Sequence, residues 1–203
     1  MKYALLALLL TAPAAATACV TAADLATGVL FTREDGRSGL AITKGRDIRV
    51  VYSAMNDDWT DTRLARMGVY DLWANFHFDP LSTVGGGYPH YDWTYARRLP
   101  TPTPGKSFKT RVTQQRSEDI GTEFTPPPVT TKYEATYTFL DAKQATLSGC
   151  SYTIVPVEAA YSDGTTQRFL YFPDLGFGLE TRTRGLERAD GERRGLIELI
   201  VKP

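Results

Sequence analysis

The chain has 203 residues, 42% of them hydrophobic and 11% aromatic, with 23 basic side chains against 23 acidic ones. That balance excludes the electrostatic footprint of a nucleic-acid or anionic-membrane binder. The length suits one all-β domain.

In chain order, Lys2, the apolar run Ala4 to Leu10, Pro13 and the small residues Ala16-Thr17-Ala18 read as an export signal over residues 1–18. Its removal leaves 22 basic against 23 acidic groups, a charge of −1. No later run approaches the ~20 apolar residues of a membrane-spanning helix. Residues 19–203 therefore read as a single exported domain, periplasmic in a bacterial envelope. Cys19 has two readings. The first is a disulfide to Cys150, because two cysteines in an oxidising compartment make an even pair. It would close a loop of 131 residues and contribute roughly 3–5 kcal/mol. The second is a lipid anchor to the membrane, because Ala16-Thr17-Ala18-Cys19 resembles a bacterial lipobox. Lipidation leaves Cys150 an odd thiol, so the disulfide is the preferred reading.

Thr21-Ala22-Ala23-Asp24 matches a capping box and Gly28 a helix stop, which predicts a short N-terminal helix. After Gly28 the dominant period is two, the mark of half-buried antiparallel strands. Ile48, Val50, Tyr52 and Ala54 share one face. The segment Thr60 to Met67 does not alternate cleanly, and Leu64, Met67 and Gly68 suit a two-turn helix there. Tyr70, Leu72, Ala74, Phe76 and Phe78 share a strand face opposite Asp71, Trp73, Asn75 and His77. Leu99 to Gly105 is Pro-rich and extended, and 117–130, with Pro126-Pro127-Pro128, reads as a long loop. Tyr133, Ala135, Tyr137 and Phe139 alternate with polar residues. Pro156 implies an edge strand or a bulge. Asp35-Gly36, Lys44-Gly45-Arg46-Asp47, Asp163-Gly164 and Asp190-Gly191 read as hairpin turns. The expectation is a mainly β chain: one antiparallel meander of about nine to ten strands forming a strongly curved sheet, open barrel or sandwich.

Chemistry-bearing residues are sparse. His77 and His90 lack zinc-ligand spacing, and neither Ser38 nor Ser148 sits in a G-x-S-x-G elbow. No catalytic set, metal site or cofactor is therefore expected. Asn56-Asp57-Asp58-Trp59-Thr60-Asp61 is the densest acidic cluster; it reads as a solvated turn, or as the carboxylate source of a hydrolase acting on polysaccharide or peptide. Gly85-Gly86-Gly87 followed by Tyr88, His90, Tyr91, Trp93 and Tyr95, together with Trp73, is the best candidate for a ligand-binding lip. The alternative is that these aromatics pack on the sheet. Arg182, Arg184, Arg188, Arg193 and Arg194 are interrupted by acids and read as a solvated hairpin.

From Cys150, a strand, the turn Asp163-Gly164 and the run Phe169-Leu170-Tyr171-Phe172-Pro173-Asp174-Leu175-Gly176 resemble the penultimate hairpin of lipoprotein-carrier-like half-barrel envelope proteins. The match ends at Glu180. The whole chain is also similar to small uncharacterised exported proteins of alphaproteobacteria. The carrier resemblance implies an apolar ligand on a concave sheet face and no catalytic residues. Three functions follow: a non-enzymatic envelope domain binding an apolar ligand, lipid or protein; the hydrolase using Asp57, Asp58 or Asp61 near Trp93; and an interaction module, whose sign would be an exposed apolar patch or sheet edge.

Overall fold

The structure is a computed structural model and describes residues 18–34, 36–53, 59–78, 88–119, 126–184 and 195–203. Residues 1–17 of the export signal, Asp35 of the first turn, Ala54, Asn56, Asp57, Asp58, the glycines at 85–87, the Asp190-Gly191 turn and the arginines at 188, 193 and 194 lie outside the described residues.

Thirteen strands follow a 3-10 helix, Ala22–Ala26: β1 (Val29–Arg33), β2 (Ser38–Lys44), β3 (Asp47–Ser53), β4 (Trp59–Arg66), β5 (Tyr70–Phe78), β6 (Tyr88–Tyr95), β7 (Ser107–Asp119), β8 (Val129–Phe139), β9 (Lys143–Leu147), β10 (Cys150–Tyr161), β11 (Thr166–Phe172), β12 (Phe177–Arg184) and β13 (Leu196–Val201). All pairings are antiparallel. The sheet runs β12-β11-β10-β8-β7-β6-β5-β4-β3-β2-β1-β13, with β9 paired to β10, and rolls into a nearly closed barrel. The β class and the meander are as expected; the strand count is higher than nine or ten.

Three local expectations are corrected. Thr60 to Met67 is not a helix but the strand β4 with the start of its turn. Its alternation was illegible because its inward residues, Asp61 and Arg63, are charged, while Leu64 faces out. Met67 (φ 55°) and Gly68 (φ 66°) form the turn into β5. Gly68 is required there twice over: a Cβ would meet the Gly178 carbonyl oxygen at 2.1 Å. Second, Ser117 to Asp119 and Val129 to Thr130 belong to β7 and β8, so the loop is shorter than 117–130. Third, Pro156 lies inside the doubly paired β10. One edge of β10 carries β9 opposite residues 150–154 and β8 opposite 157–161. The proline sits between them, where its missing N–H breaks no ladder, and its carbonyl accepts from Leu140 N–H at 2.9 Å.

The short helix bears the expected cap, Thr21 N–H donating to Asp24 at 2.7 Å, and Gly28 closes it at φ 121°. The Cys19–Cys150 disulfide is formed, with Cα atoms 5.6 Å apart, and pins this terminus beside the start of β10. Val20 N–H donates to the Tyr152 hydroxyl at 2.9 Å and seats Val20 in the core. The Ser148-Gly149 turn, both residues at positive φ, joins β9 to β10. Ser148 Oγ accepts from Leu199 N–H at 3.1 Å, tying that hairpin to β13.

β12 ends the sheet, and an end strand exposes unpaired backbone unless something covers it. Here Gly178 N–H donates to the Met67 carbonyl at 2.8 Å and Glu180 N–H to the Tyr52 hydroxyl at 3.1 Å. Phe177, Leu179, Glu180 and Thr181 are all buried, so β12 is covered on both faces by the far side of the roll. Two core clusters result. One gathers the helix with β1, β2, β3, β12, β13, the β9-β10 hairpin and the end of β11 around Phe31, Phe177 and Leu179. The other gathers the start of β5 with β7, β8, β10 and β11 around Tyr70, Tyr137 and Phe169. The Pro-rich run at 99–105 crosses the second, where Tyr70 donates its hydroxyl to the Pro100 carbonyl at 2.9 Å.

Candidate functional site

The candidate residues sit on β4, β5 and β6, and a β-bulge decides which way they face. Leu64 pairs with Trp73, but Ala65 pairs with Asp71, so Leu72 is an extra residue in β5. A bulge re-aims the side chains beside it. Leu72 joins Trp73 on the outer face, and Asp71 turns inward, away from the polar face where simple alternation puts it.

Inside, Asp71 meets a buried charge cluster. Arg63 Nε donates to both Asp61 carboxylate oxygens at 3.0 Å, and its Nη2 to Asp61 Oδ2 at 2.7 Å. Nη1 donates to Asp71 Oδ2 at 3.3 Å and to Glu180 of β12. The guanidinium also lies 5.5 Å from the Tyr52 ring centroid. Burial works against the charge on Arg63, but Asp61, Glu180 and Asp71 together hold its pKa above the ordinary value. Asp71 goes the other way: burial, helped by Glu180 and Asp61 and opposed by Arg63, pushes its carboxyl up to about 6.

A hydroxyl chain extends from this cluster. Tyr95 donates to the Asp71 backbone carbonyl at 2.9 Å and lies 3.4 Å from the Tyr137 hydroxyl. Tyr137 and Tyr161 hydroxyls are 3.2 Å apart, and Tyr161 donates to Gln167 Oε1 at 2.6 Å. Burial raises the pKa of Tyr95, Tyr137 and Tyr161, that of Tyr137 to about 12. They remain neutral donors at physiological pH. The whole set is a satisfied interior network: the charges join β4, β5 and β12, and the hydroxyls carry it on to β6, β8, β10 and β11.

The six aromatic candidates divide between the faces of the sheet. Tyr91, Trp93 and Tyr95 point inward. Tyr91 and Trp93 stack at 5.6 Å, Phe76 meets Tyr91 edge-on at 5.8 Å, and Trp93 Nε1–H donates to the Tyr133 hydroxyl at 2.9 Å. Trp73, Tyr88 and His90 point outward. His77 and Tyr88 stack at 4.5 Å, Trp73 meets His90 edge-on at 5.3 Å, and His90 Nε2 lies 2.9 Å from Asp92 Oδ2.

Cross-strand register sets Arg49, Leu64, Trp73 and Asp92 in one row over β3, β4, β5 and β6. With Lys44 and Leu72 they line an open groove of about 480 Å³. Its floor is apolar, one wall is cationic, and Asp92 with His90 stands opposite. Leu64 and Leu72 were missed as site residues because only the register puts Leu64 opposite Trp73 and only the bulge turns Leu72 to its side; the unclear alternation at 60–67 was the one sequence sign. Asp61, the described member of the acidic cluster, is 1% exposed and gives both oxygens to Arg63, so it does not face a substrate-sized opening. Among the described residues no group of three or more His, Cys, Asp or Glu is arranged to hold a metal ion.

Compared with known proteins, the chain matches no family model, no curated protein and no solved structure. The disulfide fits an oxidising, exported compartment. No described helix is long and apolar enough to cross a membrane.

Proposed function

We propose that this is an exported, non-catalytic binding domain whose outer groove receives an apolar ligand with one anionic end. The observation that carries the reading is the row Arg49, Leu64, Trp73, which sets a cation beside an apolar aromatic floor. No described carboxylate pairs with Lys44 or Arg49, so both ammonium and guanidinium are available to a ligand. The groove volume falls within the roughly 300–1,000 Å³ of small-molecule sites. The carrier resemblance leads one to look on the concave face, but there β12 and the buried Phe177 and Leu179 occupy space, whereas the outer groove is open.

A periplasmic location accords with the disulfide, and a sulfur bonded to Cys150 has no valence left for a lipid thioether. An intact mass of the secreted chain two hydrogens short, without acyl mass, is the outcome this reading requires.

The binding test is tryptophan fluorescence of the wild type titrated with decanoate and with decanol. A charge-assisted contact of about 1.4 kcal/mol corresponds to roughly tenfold tighter binding of the anion. Arg49→Gln should remove that difference, and Trp73→Ala, followed by titration calorimetry because it removes the reporting indole, should weaken both ligands. Equal affinity for the two ligands, or saturable binding of neither, overturns the proposal.

A further inference from the structure

Among the described strands, β8 in the middle of the sheet leaves part of one edge unpaired. β8 pairs with β7 from Ser107↔Thr138 out to Arg116↔Val129. On its other edge β10 accompanies it only as far as Tyr161↔Ala135. The last bonds there join Glu134 and Ser162: Glu134 N–H donates to Ser162 Oγ at 3.1 Å, and Ser162 N–H donates to the Glu134 carbonyl at 2.9 Å. The chain then turns back into β11. Among the described strands none pairs with Val129 to Tyr133 on that edge. Val129 is 61% exposed, and Thr130, Thr131 and Lys132 are exposed as well.

The direction of each backbone group follows from Glu134. In a strand the N–H and C=O of one residue point to the same side, and neighbours alternate. Glu134 points to the free edge, so Lys132 and Thr130 do too, while Thr131 points to β7. An uncovered edge of this kind is a template for another strand. The usual deterrents are weak: Lys132 is the only charge in the stretch, and the prolines at 126–128 precede it without interrupting it.

We propose that this edge pairs with the same edge of a second copy of the chain, antiparallel, across a two-fold axis through Thr131. That register is self-complementary in three respects. Thr130 of one copy lies opposite Lys132 of the other, and both aim their free N–H and C=O at each other, which makes them a hydrogen-bonded pair. Val129 lies opposite Tyr133, a β-branched residue against an aromatic ring, one of the favourable cross-strand pairs. Thr131 meets Thr131 on the axis, and no like charges are directly opposed. Such an isologous contact closes on itself and does not propagate into a fibre. Five residues a side fall short of the roughly 1,200 Å² of a stable interface. The dimer is therefore a weak, concentration-dependent one, distinct from the groove on β3 to β6.

Thr131→Cys in the full chain tests the register. The pair on the axis is a non-hydrogen-bonded one, with Cα atoms about 4.5 Å apart, within the ~4.4–6.8 Å a disulfide spans. In a glutathione redox buffer it should cross-link at least about tenfold faster than the exposed control Thr101→Cys, because the pairing raises the local thiol concentration. Thr130→Pro removes an edge N–H that bonds none of the described residues, so it should return the cross-linking to the control rate with the thermal midpoint unchanged. If that variant folds poorly, Thr131→Asp supplies the second reading by setting two carboxylates face to face at an exposed position. Sedimentation equilibrium should show the wild type passing from monomer to dimer towards about 1 mM and Thr131→Asp staying monomeric. Cross-linking of Thr131→Cys no faster than the control, or a wild type that stays monomeric over that range, overturns the proposal.

Discussion

Asp71 should make the protein less stable as pH rises through the weakly acidic range, against the usual behaviour of paired carboxylates. Its carboxyl lies 3.3 Å from Arg63 Nη1, which favours the charged form. Burial and the neighbouring Glu180 and Asp61 oppose this and win, so its pKa stands at about 6 against the ordinary 3.8. Below pH 4 both folded and unfolded chains hold the proton and Asp71 contributes no slope. Between the two values the unfolded chain has released it and the folded chain has not, so the unfolded state binds fewer protons and stability falls as pH rises. Above about 6 the slope vanishes. At about 1.4 kcal/mol per pH unit, the loss across this window is roughly 3 kcal/mol. The assay is urea unfolding of the wild type and of Asp71→Asn in steps from pH 4 to 7. Subtracting the variant removes the titration of other groups, and the wild-type advantage should shrink by that amount. A difference that is flat, or that grows with pH, refutes the reasoning, because it would mean that Arg63 outweighs desolvation.

Arg63→Met should cost about 3–5 kcal/mol at pH 7, since it strands the carboxylates of Asp61, Asp71 and Glu180 without their cation. Part of that loss should return at pH 5 as the carboxyls take up protons, and urea midpoints at the two pH values check it. Cys19→Ser should lower stability by roughly 3–5 kcal/mol through the opened loop; reduction of the wild type should give the same denaturant midpoint as the variant.

Much of the fold was legible because its inward residues are apolar and alternate with polar ones. In β3 and β8, Val50 and Tyr52, and Ala135 and Tyr137, announce their faces at period two. Turn glycines announced hairpins for a local reason: Gly45 and Gly164 adopt positive φ, which side chains disfavour. β4 was not legible. Its interior face carries Asp61 and Arg63, whose burial is tolerable only because Asp71 and Glu180, distant in the chain, arrive beside them. Nor was the site's composition, because a single extra residue, Leu72, reverses the facing of Asp71 and itself joins Trp73, while Leu64 reaches Trp73 only through cross-strand register.

The sequence by itself determined the antiparallel β class and the short capped helix, and it made a Cys19–Cys150 disulfide the preferred of two readings, which the structure then formed. Each rests on local periodicity, local backbone preference or simple arithmetic of thiols. Only the tertiary structure decided that β12 is enclosed, that one cluster of charges is an interior network, that the aromatic candidates divide between two faces, and that β8 keeps a bare edge. Those outcomes depend on where strands far apart in the chain stop pairing and which side a bulge exposes. Register between distant segments leaves no trace in the residues of either one.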